Sequence, residues 1–245
     1  MSGHSHWATI KHKKGAADAK KGKLFSKLAR AIQLAAREGG GSPDMNIKLQ
    51  YAIEEARAAN MPRDNIDRSI KRGTGEIAGV TYEVSNYEGY GPGGVAIMVE
   101  ALTDNKNRTA HEIRKIFETH GGNLGATNCV AYMFQRKGVI TIPLSAAGED
   151  QMMSDVLDAG GENLETAGDI YFITTATADF ENVKKALAQK HKISTSEITL
   201  LPKDSMKVDE ETGRKILALM EALDESEDVQ KIHTNFELPD TPGKP

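Results

Sequence analysis

Apolar positions in the first part of the chain recur with helical spacing. From about residue 16 to residue 37 the composition favours helix, and steps of about 100° per residue gather the apolar side chains on one face. These apolar residues are Leu24, Leu28, Ile32 and Ala35. The glycines of "EGGGSPD" end the segment, because Gly39 can adopt the left-handed conformation of a helix C-cap. The pattern predicts an amphipathic first helix.

Two further helices are predicted before residue 74. Asp44 can cap the second helix, and the third lies in "NMPRDNIDRSIKRG", with Pro62 near its first turn and Gly73 at its end. The expected inward-facing residues of the second helix are Ile47, Tyr51 and Ile53. Residues 15–73 are therefore predicted to form a small three-helix domain, with "GTGEIAG" as its linker to the rest of the chain.

After this linker the pattern changes to that of strands. "VTYEVSNYEGYGPGGVAIMVEALTD" contains two β-rich runs around a Gly-Pro turn and predicts a hairpin. A helix is expected from about Thr109 to His120, because Thr109 and Glu112 have the spacing of a capping box. "NCVAYMFQ" then predicts another strand, with Cys129 as a core residue.

From Lys137 onward the predicted order is βαββαβ, which is typical of a ferredoxin-like domain. A helix at about 210–223 and a strand near 229–236 would complete the earlier ββαβ unit. The expected fold class is α+β: an N-terminal three-helix domain followed by two ferredoxin-like-type α/β domains, one inserted in the other. The expected domains are residues 1–75, residues 80–136 plus 206–238, and the inserted residues 137–205.

Charge is unevenly distributed along this chain of 245 residues. Residues 1–37 hold nine Lys and Arg against one acid, Asp18, and therefore carry a charge of +8. Since the net charge of the whole chain is −4, residues 38–245 carry −12. Such asymmetry indicates either a basic nucleic-acid-binding module on an acidic body or a solvated helix face. The acidic stretch "LDESEDV" is interpreted as a solvated helix end. No apolar run is long enough for a membrane span, and a single cysteine fits a reducing, cytoplasmic setting.

The short motifs with catalytic or cofactor chemistry are incomplete. "GYGPGG" matches G-x-G-x-x-G, but a strand follows it where a dinucleotide site needs a helix. His111 and Glu112 begin an H-E-x-x-H motif that Lys115 breaks. The histidines near the N terminus could grip a metal ion incidentally, yet no carboxylate or cysteine completes a site. We therefore predict no enzyme activity, no cofactor and no metal.

A phosphate-binding surface is the remaining candidate site. An arm rich in lysine would supply charge, and an aromatic residue could stack on an exposed base. The candidate nucleic-acid-binding residues are His6, Trp7, Lys11, Lys13, Lys14, Lys20, Lys23, Lys27 and Arg30.

Several long runs of the chain resemble the YebC/PmpR family. They are "MSGHSHWATIKHKKGAADAKKGKLFSKLARAIQLAAREGG", "NMPRDNIDRSIKRGTGE", "YEGYGPGGVAIMVEALTDNKNRTAHEIRKIF" and "GGNLGATNCVAYMF". The resemblance covers essentially the whole chain and is loosest from residue 143 onward. It implies a helical N-terminal domain, two α/β domains and no enzyme activity.

The same resemblance leaves two nucleic-acid partners open. Family members are described as probable cytoplasmic transcriptional regulators that bind promoter DNA. Mitochondrial relatives are translational activators of cytochrome c oxidase, and some bacterial members resemble ribosome-associated factors that relieve stalling at proline runs. The expected partner is therefore promoter DNA or ribosomal RNA, the latter within the ribosome.

Overall fold

The computed structural model describes residues 18–238, and their fold class is the one predicted from the sequence. Within this range the helices are α1 (Asp18–Gly39), α2 (Ile47–Ala58), α3 (Arg63–Thr74), α4 (Lys106–Thr119), α5 (Glu149–Ala159), α6 (Phe180–Lys190) and α7 (Glu210–Glu225). The strands are β1 (Glu83–Tyr90), β2 (Ala96–Thr103), β3 (Asn123–Leu124), β4 (Phe134–Pro143), β5 (Asn163–Ala167), β6 (Ile170–Thr175), β7 (Thr195–Pro202), β8 (Met206–Lys207), β9 (Val229–Thr234) and β10 (Phe236–Glu237).

Helices α1, α2 and α3 enclose the first core. Leu28 and Ile32 of α1 meet Leu49 and Ile53 of α2 and Ile66 of α3, and all five side chains are buried. The apolar face predicted for α1 is therefore the face that packs, although Leu24 at its start remains partly exposed. Burial of this face holds the three helices together.

The second helix begins later than predicted. The prediction that Asp44 caps it is wrong: Pro43–Met45 forms a 3₁₀ turn, and the Asn46 side chain accepts a hydrogen bond from the Leu49 amide at 3.1 Å. Asn46 also donates to the carbonyl oxygens of Ala35 and Gly40, both at 2.8 Å. The cap thus ties the start of α2 to the end of α1, and Ile47, expected to face inward, lies on the surface.

One sheet is assembled from distant parts of the chain, in the order β3-β1-β2-β9. Antiparallel β1 and β2 form the predicted hairpin around the turn at residues 91–95, and β9 pairs with the other edge of β2. Helices α4 and α7 cover this sheet through Ile113, Phe117, Ile216 and Leu219, among other buried residues. A strand near residue 230 thereby completes a sheet that begins at residue 83.

Three details of this region differ from the sequence prediction. Helix α4 begins at Lys106, capped by Asn105, so Thr109 is not its N-cap. Residues 125–133 form turns rather than a strand, and Cys129 in them is only partly buried. Burial raises the pKa of the Cys129 thiol.

The second sheet has the order β5-β6-β4-β7, which is the ferredoxin-like arrangement. Helices α5 and α6 pack on it through Met152, Val156, Phe180 and Leu187. This unit is inserted in the chain between β3 and α7, which belong to the first sheet and its covering layer.

Candidate nucleic-acid interface

The candidate residues divide into those within and those outside the described part of the chain. His6, Trp7, Lys11, Lys13 and Lys14 lie outside it, as does the side chain of Lys20. The remaining candidates, Lys23, Lys27 and Arg30, lie on α1 and can be located.

The two lysines of this group contact the end of α7. Lys27 Nζ donates to the Asp224 carbonyl oxygen at 2.5 Å and lies 3.1 Å from Asp224 Oδ1. Lys23 Nζ donates to the Glu225 carbonyl oxygen at 3.3 Å. These are carbonyl groups at the partially negative end of a helix that has no basic residue in its own last turn. The two lysines of α1 therefore cap the C-terminus of α7.

Arg30 continues the contact into the segment after α7. Its guanidinium lies 2.5 Å from Asp228 Oδ1 and 3.1 Å from Glu227 Oε2, and it donates to the Glu227 carbonyl oxygen at 2.8 Å. The guanidinium also lies 5.1 Å from the ring centroid of Tyr82, within cation–π range. We call residues 224–228 the acidic turn.

Asp228 is the buried centre of the acidic turn. It accepts hydrogen bonds from Arg108 at 2.9 Å and from the Thr109 hydroxyl at 2.5 Å, besides its pair with Arg30. Burial acts to raise the pKa of Asp228, but these three donors outweigh it and hold the pKa below its ordinary value. The expectation that "LDESEDV" is a solvated helix end is thus wrong for Asp228.

A separate set of cations is exposed on α3. Arg68, Lys71 and Arg72 lie within about 100° on one side of this helix, opposite the buried Ile66 and Ser69. The sequence interpretation did not select Lys71 or Arg72 as candidate ligands. Their spacing of three and four residues from Arg68 was the signal that could have identified a basic face.

A cleft of about 270 Å³ adjoins this face, between α1, the end of α3 and the following linker. We call it the linker cleft. Arg37 and Arg72 line it together with Tyr82, and Leu34 and Ile77 supply apolar surface. Arg37 and Arg72 are both exposed, so the cleft combines positive charge with surfaces on which a planar group could lie.

The position of Arg72 depends on a close approach of α1 and α3. A Cβ at Gly73 would lie 2.4 Å from the Gln33 carbonyl oxygen and 2.7 Å from the Ala36 Cβ. A Cβ at Gly79 would lie 3.2 Å from the Arg72 Cβ, so the linker also packs on the Arg72 side chain. Helix crossing and linker together fix this edge of the cleft.

The chemistry available on this surface is anion binding. No group of three or more His, Cys, Asp or Glu side chains suited to a metal ion occurs among the described residues. Within the same residues, no helix is long and apolar enough to cross a membrane. Arginine and lysine side chains next to a tyrosine are the groups that hold phosphates and stack on bases.

Fold and surface define a three-part α+β protein with a cationic helical module at its start. The family model described as the TACO1/YebC N-terminal domain matches residues 5–76, and that described as the TACO1/YebC second and third domain matches residues 82–236. The chain therefore belongs to the TACO1/YebC family.

Relatives of similar length carry the name "Probable transcriptional regulatory protein". One from Dictyoglomus turgidum is 55% identical over 98% of this chain and 97% of its own, and one from Desulfosudis oleivorans is 51% identical over the full length of both. The crystal structure of a conserved hypothetical protein from Aquifex aeolicus is similar, with a TM-score of 0.88 and 45% identity over 98% of this chain and 100% of the other. The family thus includes proteins that are named as probable transcriptional regulators.

Proposed function

We propose that this protein is a cytoplasmic, non-enzymatic regulator of gene expression that acts by binding nucleic acid through its N-terminal helical domain. The observation that carries the proposal is the segregation of charge: residues 1–37 carry +8, whereas the rest of the chain carries −12. A polyanion would therefore approach one end of the molecule, and the acidic body would repel it elsewhere.

The exposed cations of α1 and α3 support this orientation. Arg37, Arg68, Lys71 and Arg72 add to the lysines of the N-terminal arm, and the side chains of all four are exposed. Contacts of this kind neutralise phosphates without reading bases. We infer that the basic module supplies affinity and that sequence or shape selection comes from elsewhere.

Promoter DNA is the first target, because relatives are named as probable transcriptional regulatory proteins. Ribosomal RNA is the second, and the linker cleft favours it. A concave surface with Arg37, Arg72 and Tyr82 suits an unpaired nucleotide better than the regular face of a duplex, since exposed bases can stack on aromatic and guanidinium planes.

Crosslinking in cells followed by sequencing of the bound nucleic acid tests the target. Enrichment of promoter fragments would support the DNA-binding regulator, and enrichment of ribosomal RNA would support the translation factor. Recovery of neither above a mock-purified sample would contradict nucleic-acid binding as the function.

The contribution of the arm is tested with the triple variant Lys11→Ala, Lys13→Ala, Lys14→Ala. Loss of three phosphate contacts should weaken binding and reduce the slope of log Kd against log salt concentration by about 2 to 3. The matched control replaces the exposed Lys185, Lys192 and Lys203 of the inserted domain with Ala, which changes the net charge equally. Equal slopes for both triple variants would show that the arm does not contact phosphates.

A further inference from the structure

The acidic turn occupies the same cations that a phosphate backbone would use. Lys23, Lys27 and Arg30 were selected from the sequence as phosphate ligands, and each is bound by an oxygen of residues 224–228. The ligands on the acidic side are carboxylates and helix-end carbonyl groups, which carry full or partial negative charge as phosphate oxygens do. The acidic turn therefore supplies the cations of α1 with negatively charged ligands of the kind that a polyanion would supply.

The contact has an outer part and an inner part. The outer carboxylates are partly exposed, with side-chain exposure of 43% for Asp224 and 55% for Glu227, whereas Asp228 is 6% exposed. Ion pairs with such solvent exposure hold weakly, because water and salt screen them. Asp228 stays fixed by Arg108 and Thr109 even without Arg30.

Two of the three cations, in contrast, are largely buried where they meet the turn, while Lys23 is exposed. The side chains of Lys27 and Arg30 are 11% and 12% exposed. A phosphate group could reach them only if residues 224–227 moved aside.

We propose that the acidic turn is an autoinhibitory element, which competes with nucleic acid for the basic face of α1 and is displaced when a sufficiently dense array of phosphates binds. This inference rests on the proposed function and concerns the regulation of its binding surface. Weak or isolated phosphates do not displace the turn, since it offers several oxygens at once. The acidic turn thus favours binding to a dense array of phosphates over binding to isolated phosphates.

The test compares two double variants of the full-length chain that change the net charge equally. Asp224→Asn with Glu227→Gln removes the outer carboxylates of the turn. Glu210→Gln with Glu211→Gln removes two exposed carboxylates at the opposite end of α7, which pair with Arg214 and Lys215 in the same helix. The probes are a fluorescein-labelled 20-nucleotide single-stranded RNA and a 20-base-pair DNA duplex.

The turn variant should bind whichever probe the wild type prefers about tenfold more tightly than the control variant does, since two partly exposed ion pairs no longer oppose binding. Equal affinity of the two variants would overturn autoinhibition while leaving nucleic-acid binding intact. Failure of all three proteins to bind either probe at low salt would instead overturn the proposed function, and the inference with it.

Hydrogen exchange gives a second readout that does not depend on the variants. In the wild type, binding of the probe should accelerate amide exchange in residues 221–230, because the end of α7 loses the caps that Lys23 and Lys27 provide. Unchanged or slower exchange in this segment on binding would show that the turn stays on α1, and would overturn displacement.

Discussion

Asp155 is a single buried carboxylate that joins two helices of the inserted domain. Lys190 Nζ lies 2.6 Å from its Oδ1 and His191 Nε2 lies 2.8 Å from its Oδ2, while Gln151 donates at 3.2 Å. The hydrogen bond from Lys190 and then that from His191 lower the pKa of Asp155 to about 2. The carboxylate of α5 therefore holds the end of α6 in place.

This pair predicts a pH dependence of stability at the acid end. The folded pKa of about 2 lies below the ordinary value of 3.8, so the interaction stabilises fully above that ordinary value and is lost as pH falls from about 4 towards 2. Asp155→Asn should lower the unfolding temperature at pH 6, and the difference from wild type should shrink below pH 4. Thermal unfolding followed by circular dichroism from pH 2.5 to pH 7 measures it.

Asp158→Asn is the matched control, because Asp158 lies on the exposed side of the same helix. It should change the unfolding temperature little at any pH. A deficit of Asp155→Asn that stayed constant down to pH 2.5 would mean that shape, rather than the ionised carboxylate, accounts for its effect.

Single polar residues are also where the sequence interpretation failed. Thr109 has capping-box spacing to Glu112, yet its hydroxyl donates to Asp228, which lies 119 residues away. Asp44 and Asn46 are both good caps, and the choice of Asn46 depends on its bonds to the carbonyl oxygens of Ala35 and Gly40. Local spacing cannot distinguish these alternatives, because tertiary partners decide between them.

At the scale of elements, the crossing of α1 and α3 depends on Gly73. Two helices can approach this closely only where a side chain is missing, since a Cβ there would overlap the Gln33 carbonyl oxygen at 2.4 Å. The sequence interpretation treated Gly73 as a helix-ending residue, whereas α3 continues to Thr74 and Gly75 takes the left-handed cap position.

Alanine substitutions at two helical glycines should therefore have opposite effects. Gly73→Ala should destabilise the N-terminal domain by about 1 to 3 kcal/mol, because the backbone of α1 cannot yield as a flexible side chain would. Gly22→Ala should stabilise α1 by about 0.5 to 1 kcal/mol, since a Cβ at this exposed position would meet no atom of the described residues within 4 Å. Urea unfolding of both variants measures the difference, and effects of the same sign would contradict the crossing geometry.

Long elements were predicted well because their apolar periodicity repeats over several turns or pleats. The order βαββαβ that was predicted from Lys137 onward is the order of β4, α5, β5, β6, α6 and β7. The two-residue strands β3, β8 and β10 carry no period at all and were missed. "NCVAYMFQ" looks like a strand throughout, but only its last two residues belong to β4. The buried Glu88 carboxylate accepts hydrogen bonds from the amides of Asn128, Val130 and Ala131 at 2.8 to 2.9 Å, and residues 128–133 form turns.

At the scale of the whole molecule, the sequence shows the charge asymmetry. It does not show that cations of α1 bind the acidic turn of the same chain. Residues 27 and 30 lie nearly 200 positions before the acidic turn, and only the closing of the sheet by β9 brings them together. A second contact joins the N-terminal domain to the inserted domain, where Tyr51 hydrogen-bonds Glu181 and Lys184 lies 5.0 Å from the centroid of the Tyr51 ring. The helical domain is therefore held both to the acidic turn and to α6 of the inserted domain.

Arg30 should consequently control how tightly the helical domain is held. Arg30→Gln removes the pairs with Asp228 and Glu227 and the bond to the Glu227 carbonyl oxygen, and should destabilise the helical domain by about 2 kcal/mol. Arg63→Gln is the control, because Arg63 is 92% exposed and has its 3.7 Å pair within α3, so its loss should change stability by less than about 0.5 kcal/mol. Calorimetry should show the transition of the helical domain moving to lower temperature only for Arg30→Gln. Similar shifts for both variants would mean that the acidic turn does not support the domain, since Asp228 would then be satisfied by Arg108 and Thr109 alone.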